Sequence, residues 1–428
     1  MKFRATTLGE ISGGGSYGLG ASASMDSTGP KFLRTTDIVS GTIDWSQVPY
    51  CSADSVAIAK YKLFSEDIVI SRTGANAGLN CIVLEPPENA IFAGYLVRFK
   101  INRELADAKY VSYLLRSKAW EEYVEVTRTG SAQPQFNAVL MGQFPISLPS
   151  LRTQKAVSSF LCALDAKIAA NNAISKSLED IAHTIFKSWF IDFDPVKAKI
   201  AGEKPAGMDA ATAALFPNTM EESELGLIPK GWEIRKIESM CETLLGGTPS
   251  RARDEFWNGD IPWINSGKVN DFRITSASEN ITKLGLEKSA TKLLPKGTTV
   301  LAITGATLGQ FSRLEIDSCA NQSVVGILGS AEASNEFIYL NIKNGIQRLI
   351  SAQTGGAQQH INKEDVNAFS IVYPGETLMK IFTDVVDGIF KEIGVVLNQS
   401  ISLAEIRDSL LPRLISGELQ IPEEMLAS

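Results

Sequence analysis

Residues 129–150 read TGSAQPQFNAVLMGQFPISLPS, and residues 354–375 read TGGAQQHINKEDVNAFSIVYPG. At an offset of 225 the two lie on each other without a gap. Each runs from a polar, glycine-bearing phrase to Phe144 or Phe369, then through a brief apolar strand to Pro149 or Pro374. The opening phrase has too few large apolar side chains for a core element, and its glycines suit a loop. A polar loop written twice points to a surface used twice.

The repeat extends upstream. SRTGANAG (71–78) falls on AITGATLG (302–309) at an offset of 231, sharing Thr-Gly-Ala-x-x-Gly from Thr73 and Thr304. FLRTTDI (32–38) falls on WINSGKV (263–269) at the same offset. Three matches in the same order read as an internal duplication. Two copies are too few for a solenoid, and 428 residues exceed a single core, so two similar domains are expected.

After each proline the pattern turns helical. Apolar residues fall at Leu161, Leu164, Ile168, Leu178, Ala182 and Ile185, interrupted by Asn171 and Ser175. The offset of 225 gives Val386, Ile389, Ile393, Val396, Ser400, Leu403, Arg407 and Leu410, so most of the stripe survives, with Asn171 falling on Val396, Ser175 on Ser400 and Ala182 on Arg407. The stripe is narrow and flanked by charge, as in a coiled coil. Each helix of about 35 residues would span on the order of 50 Å. A helix that long bridges two small domains, and the returning chain makes an antiparallel pair natural. The expectation is an α+β chain: two duplicated α/β globules held apart by a long antiparallel two-helix coiled coil. The intervening stretch 192–231 is rich in Ala, Gly, Pro and charge and reads as a linker with one short helix near 209–215.

Composition narrows the function. Hydrophobic content of 44% and charged content of 21% are those of a soluble globular chain. No apolar run reaches the length of a membrane span, and MKFRATTLGEI has no secretory h-region. Five scattered cysteines fit a reducing cytoplasm. Without a Cys-x-x-Cys and with only His183 and His360, no zinc site is expected. The net charge of −7 counts against a chain that binds nucleic acid entirely alone, although 98–118 is locally basic.

Catalytic motifs fail on context. Gly13-x-Gly15-x-x-Gly18 lacks the buried strand and following helix of a dinucleotide site. GDIPWINSGKV (259–269) lacks the spacing of a phosphate loop, and no Gly-x-Ser-x-Gly elbow occurs. Asp-Ala-Lys at 107–109 and 165–167 has no paired upstream acid, and no Asn/Asp-Pro-Pro-aromatic stretch is present. What remains is two similar polar surfaces a fixed distance apart. DNA repeats its groove about every 34 Å, so two unlike lobes suit an asymmetric, bipartite sequence with an unread gap.

At this point phrases carry a resemblance. KSWFIDFDPV (187–196), GMDAATAALFP (207–217), ELGLIPKGWE (224–233) and LLPRLISGEL (410–419), in this order around two globules, resemble the specificity subunit of type I restriction–modification enzymes. The resemblance spans nearly the whole chain. It implies target-recognition domains at 1–150 and 232–375, conserved helical regions at 151–191 and 376–420, and a linker at 192–231. It implies a non-catalytic cytoplasmic subunit that binds double-stranded DNA and docks two modification (methyltransferase) subunits, to which restriction subunits add. This chain would bind no cofactor. S-adenosylmethionine would serve the modification partners, and ATP with Mg the restriction partners. Leu161, Leu164, Ile168, Leu178, Ile185, Val386, Ile389, Ile393, Leu403 and Leu410 would form the coiled coil and docking region.

Polar side chains in the repeated loops are the candidate DNA contacts, because Gln pairs bidentately with adenine and Ser, Thr and Asn reach bases or phosphates. In the first lobe they are Arg34, Thr35, Arg72, Thr73, Asn76, Ser131, Gln133 and Gln135. In the second they are Asn265, Ser266, Lys268, Thr304, Thr307, Gln353, Gln358 and His360. True readers should differ between lobes, so Thr129, Gly130, Thr354 and Gly355 are read as serving the fold. NQSV (321–324) resembles a phrase frequent in this family, whereas the first half shows AIFAGYL (90–96) in the comparable region, and PKGW (229–232) has no clear first-half match. A two-lobed protein-interaction scaffold is the competing reading.

Overall fold

A computed structural model describes residues 3–25, 28–127, 136–351 and 360–422. Two compact units divide the chain: Met1–Ala170 with Gln399–Ser428, and Asn171–Asn398. Each holds one globule and part of both long helices.

In the first unit a four-stranded antiparallel sheet has the order Gly15–Tyr17, Leu96–Phe99, Ile68–Ser71, Asn80–Ile82. Its central strands, LVRF and IVIS, are buried throughout, as expected of strands covered on both faces. A short parallel pair, Phe32–Leu33 with Ile91–Phe92, stands beside it. The strand Arg4–Thr7 pairs antiparallel with Pro145–Leu148, so the globule closes on its own two ends. The helix Ala108–Leu114, capped by Asp107, lays Tyr110, Val111 and Leu114 into the core.

The second unit repeats this plan. Its sheet runs Glu242–Leu245, Val324–Leu328, Thr299–Ala302, Phe311–Arg313 with the same pairings. Trp263 and Ile264 pair in parallel with Cys319 and Ala320. Glu233–Lys236 closes on Ser370–Tyr373. The helix after the sheet, Asn335–Ser351, is longer.

The repeated polar phrase ends in a structural device. Asn137 and Asn362 occupy equivalent N-caps, of Ala138–Gly142 and Lys363–Asn367. Their Oδ1 atoms accept from the amides of Leu140 at 2.9 Å and Asp365 at 2.8 Å. An N-cap asparagine satisfies an orphan helix donor. That explains why this residue recurs whatever the lobe binds.

The first long helix is Leu151–Phe190 and the second Glu376–Ser416. Within the first unit, Asp165 of the first helix meets Arg407 of the second at 2.6 Å, and Val157 and Leu161 share a core with Leu411 and Leu414. Within the second unit, Phe186, Trp189 and Phe190 close around Phe382 at ring distances of 6.1, 5.8 and 4.8 Å. The start of one helix thus meets the end of the other, an antiparallel pair. Leu161, Val386 and Ile393 are buried, while Leu164, Ile168, Leu178, Ile185, Ile389, Leu403 and Leu410 are half-buried. Asn171 and Ser175, which interrupt the apolar stripe, lie in it and are buried.

Residues 192–231, of linker-like composition, are folded. They form Asp194–Ile200, Ala210–Leu215 and the hairpin Met220–Ser223 with Gly226–Pro229. Phe193, Val196, Phe216 and Ile228 join the core of the second unit. Polar linker composition hid four well-spaced apolar anchors.

Ion pairs fix each globule to helix. In the first unit Tyr113 donates to Asp165 at 2.6 Å, and Arg116 lies 3.7 Å from the same carboxylate. In the second, Tyr339 donates to Glu179, which is only 4% exposed. Glu179 also pairs with Arg273, whose side chain is fully buried, and with Lys343 at 2.6 Å. Arg273 further donates to the Tyr339 hydroxyl at 2.9 Å and faces the Phe390 ring of the second long helix. Burial drives the Tyr339 hydroxyl pKa up.

Two predictions follow from these contacts. Removing the arginine leaves the buried Glu179 carboxylate only partly compensated, by Lys343, so Arg273→Met should cost about 3 kcal/mol in denaturant unfolding, the lower end for a broken buried pair. A cost below about 1 kcal/mol would show that the network does not anchor the globule. Asn137→Ala and Asn362→Ala should each cost about 1 kcal/mol, and Asn362→Asp should cost much less, because aspartate caps equally well. Thermal denaturation of the three variants measures both.

Candidate nucleic-acid interface

In each globule the same turns gather at one end of the four-stranded sheet, tied by the same backbone hydrogen bonds. The Thr-Gly-Ala-x-x-Gly loops close when Gly78 donates to Ser71 at 2.8 Å and Gly309 to Ala302 at 2.9 Å. Both glycines have positive φ, 93° and 79°, which suits glycine far better than residues with a side chain. The residue ahead of each loop, Arg72 or Ile303, donates to Tyr95 or Ser323 at 3.0 and 2.9 Å. Its own carbonyl accepts from Phe136 or Ile361 at 2.9 and 3.0 Å. The tail of the repeated phrase is therefore clamped onto the second repeated motif in both copies.

Two further turns complete the end. Ala93 and Asn321 donate to Leu33 and Ile264 at 2.9 and 3.0 Å, so 93–96 and 321–324 are the same turn. AGYL and NQSV share a backbone and no side chain. Next to them, Gly18 and Gly246 donate to Leu96 and Val324 at 3.4 and 2.9 Å. A Cβ at either glycine would sit within 2.3 Å of Phe92 O or 2.1 Å of Asn321 O. This close approach ties the glycine-rich stretch at 13–20 to the sheet.

The expected site residues divide in three. Ser131, Gln133, Gln135, Gln353 and Gln358, with Thr129, Gly130, Thr354 and Gly355, lie outside the described residues. Arg72, Thr73, Asn76, Thr304 and Thr307 are half-buried in the turns just described, Thr35 and Ser266 are half-buried in the short helical turns Thr35–Ile38 and Ser266–Asn270, and His360 is exposed. Three are engaged locally. Arg34 holds Asp37 at 2.7 Å, a hydrogen bond that raises the Arg34 pKa. Asn265 caps the turn Ser266–Asn270 through the Lys268 amide at 3.1 Å, and the Lys268 ammonium pairs with Asp271 at 2.9 Å.

The same end presents residues that sequence reasoning missed. In the first globule Tyr17 and Tyr95 are 41% and 63% exposed. In the second, Thr248 donates to Gln322, and both are exposed. Arg251 stacks 3.6 Å from the Trp257 ring centroid and grips Glu279, a hydrogen bond that holds the Glu279 carboxyl below its usual range. Backbone register, not residue identity, links these positions between copies. Tyr95 and Thr248 directly follow a glycine, which was the legible signal for those two.

Four of the cations in the basic segment 98–118 lie beside carboxylates. Arg98 is buried near Asp67, Arg103 pairs with Glu66, Arg116 approaches Asp165 and Lys118 approaches Glu122. Burial, the largest effect on either group, lowers the Arg98 pKa and raises that of Asp67. Among the described residues, no group of three or more His, Cys, Asp or Glu could hold a metal ion, and no helix is long and apolar enough to cross a membrane. The turn cluster offers amides, hydroxyls, aromatic faces and a stacked guanidinium, groups suited to base edges and phosphates.

Comparison with known proteins agrees with this geometry. The family described as "Type I restriction modification DNA specificity domain" matches residues 27–180 and 229–394, one stretch over each globule. The HindI type I restriction enzyme specificity subunit of Haemophilus influenzae is 27% identical over 436 residues, covering 91% of this chain and 94% of that one. The MjaIX specificity subunit of Methanocaldococcus jannaschii is 24% identical over 320 residues, covering 74% and 70%. The crystal structure of a type I restriction–modification S subunit from M. genitalium shares the fold, with a TM-score of 0.52 at 13% identity over 97% of this chain and 96% of that one. The chain belongs to the type I restriction modification DNA specificity family and is a specificity subunit, a DNA-recognition chain that is not itself an enzyme.

Proposed function

We propose that the two globules read the two parts of an asymmetric, bipartite DNA target separated by an unread spacer of fixed length. One observation carries this reading: a single loop framework occurs twice, and its outward side chains differ between copies. Two frameworks with identical side chains would read a repeated half-site. Two with Tyr95 and Ser323 at matched positions read different ones.

The paired helices set the spacer and dock two modification subunits, through which restriction subunits join. Apolar side chains left exposed on the helices support this. In the second unit Ile174 and Ile181 of the first long helix are 44% and 51% exposed, one heptad apart, and Val385 and Val395 are exposed on the second. S-adenosylmethionine, ATP and Mg belong to those partners, and the complex works in the cytoplasm. With a net charge of −7, this chain leaves much of the phosphate affinity to its partners.

The test is co-expression with a cognate modification subunit in a host lacking adenine methylation, followed by single-molecule mapping of methylated adenines. The expected result is one asymmetric bipartite motif with a constant gap. A complex that assembles and binds methyl donor but yields no motif would favour the protein-interaction scaffold.

A further inference from the structure

Arg72 differs in setting from the other arginines at the loop end of either sheet. Arg34 and Arg251 are held by Asp37 and Glu279. Arg72 has no carboxylate partner among the described residues, and its Nε is buried without a hydrogen-bond partner. Its guanidinium instead lies 5.1 Å from the centroid of the Tyr17 ring. That ring is pinned, because the Tyr17 hydroxyl accepts the amide of Ala138 at 3.1 Å, the first residue after the Asn137 cap.

A guanidinium held by an aromatic ring, with no carboxylate to occupy it, has its planar fork of donors available for a bidentate ligand. Two ligand groups on DNA fit such a fork, a phosphate and the O6/N7 edge of guanine. The duplication decides between them. A phosphate contact carries no sequence information, so both copies of a duplicated reader would keep it. Here the matched position is Ile303, which is buried, and the position matched to Tyr17 is Leu245. The cation and its supporting ring are thus both confined to one copy.

We infer that Arg72, oriented by Tyr17, is the side chain with which the first globule reads a guanine in its half of the target. This rests on the bipartite reading above. Arg72 is the specificity determinant, and Tyr17 is a positioning residue that touches no base.

The experiment maps adenine methylation by complexes of the modification subunit with the full-length chain or with Arg72→Gln, Arg72→Lys, Tyr17→Phe or Tyr17→Leu. The unsubstituted chain should give a motif with a G·C pair in at least one half-site. Arg72→Gln should relax a single G·C position, with about a 5- to 150-fold loss of discrimination there, the span expected for one bidentate contact. The other half-site and the gap should stay unchanged. Arg72→Lys keeps the charge but loses the fork, and should relax the same position. Tyr17→Phe keeps the ring but loses the hydroxyl that pins it, and should blur that one position less than Tyr17→Leu, which removes both.

Uniformly weaker methylation with an intact motif in Arg72→Gln, restored by Arg72→Lys, would make Arg72 a phosphate contact and overturn the inference. So would an unsubstituted motif without any G·C pair. Co-purification with the modification subunit separates a folding failure from a recognition effect, and Arg72→Lys then carries the test. Absence of any motif from the unsubstituted complex would instead sink the bipartite reading itself.

Discussion

Each globule is closed by the pairing of its own first and last strands, and the rest of the molecule depends on that closure. Arg4–Thr7 lies against Pro145–Leu148, and Glu233–Lys236 against Ser370–Tyr373. Both ends of a globule therefore lie together, and a long helix begins within a few residues of the closing strand. Everything between the paired strands can change without moving the chain's exit into helix. A fold that must present different side chains on a constant frame gains from this arrangement. The cost of closing so long a loop grows only with the logarithm of its length.

The helices complete the units in return. Tyr113 and Tyr339, each on the helix after its sheet, reach a carboxylate of the first long helix, Asp165 or Glu179. The second unit adds a buried arginine and a lysine around Glu179. Buried pairs of this kind contribute little net stability against an apolar alternative, but they are costly to break. Their value here is in fixing the globule's seat on helix, as a polar residue fixes register in a coiled coil.

Duplication was legible in the sequence because backbone geometry demanded particular residues. Gly78 and Gly309 supply positive φ, and Asn137 and Asn362 cap helices. Such residues recur whatever the lobe binds. The outward turn at 93–96 and 321–324 was opaque for the opposite reason: its role is to differ, so AGYL and NQSV match only through hydrogen bonds. The same logic divides the candidate readers. Arg34 and Asn265 drew notice as polar residues in repeated loops, yet both have local hydrogen-bond duties that keep them there. Tyr17 and Tyr95 drew none, since lone tyrosines beside glycines form no pattern. The folded stretch 192–231 was obscured because its four buried anchors are spaced among Ala, Gly and charge.

The proposed function requires the paired helices to hold two unlike reading surfaces at a set distance. It is tested most directly by inserting four residues beside Asn171 in the first long helix and mapping the methylated motif again. Four residues add about 6 Å of helix. At about 3.4 Å per base pair the gap should lengthen by one or two base pairs, with both half-sites unchanged. An unchanged gap with altered half-sites would contradict the account.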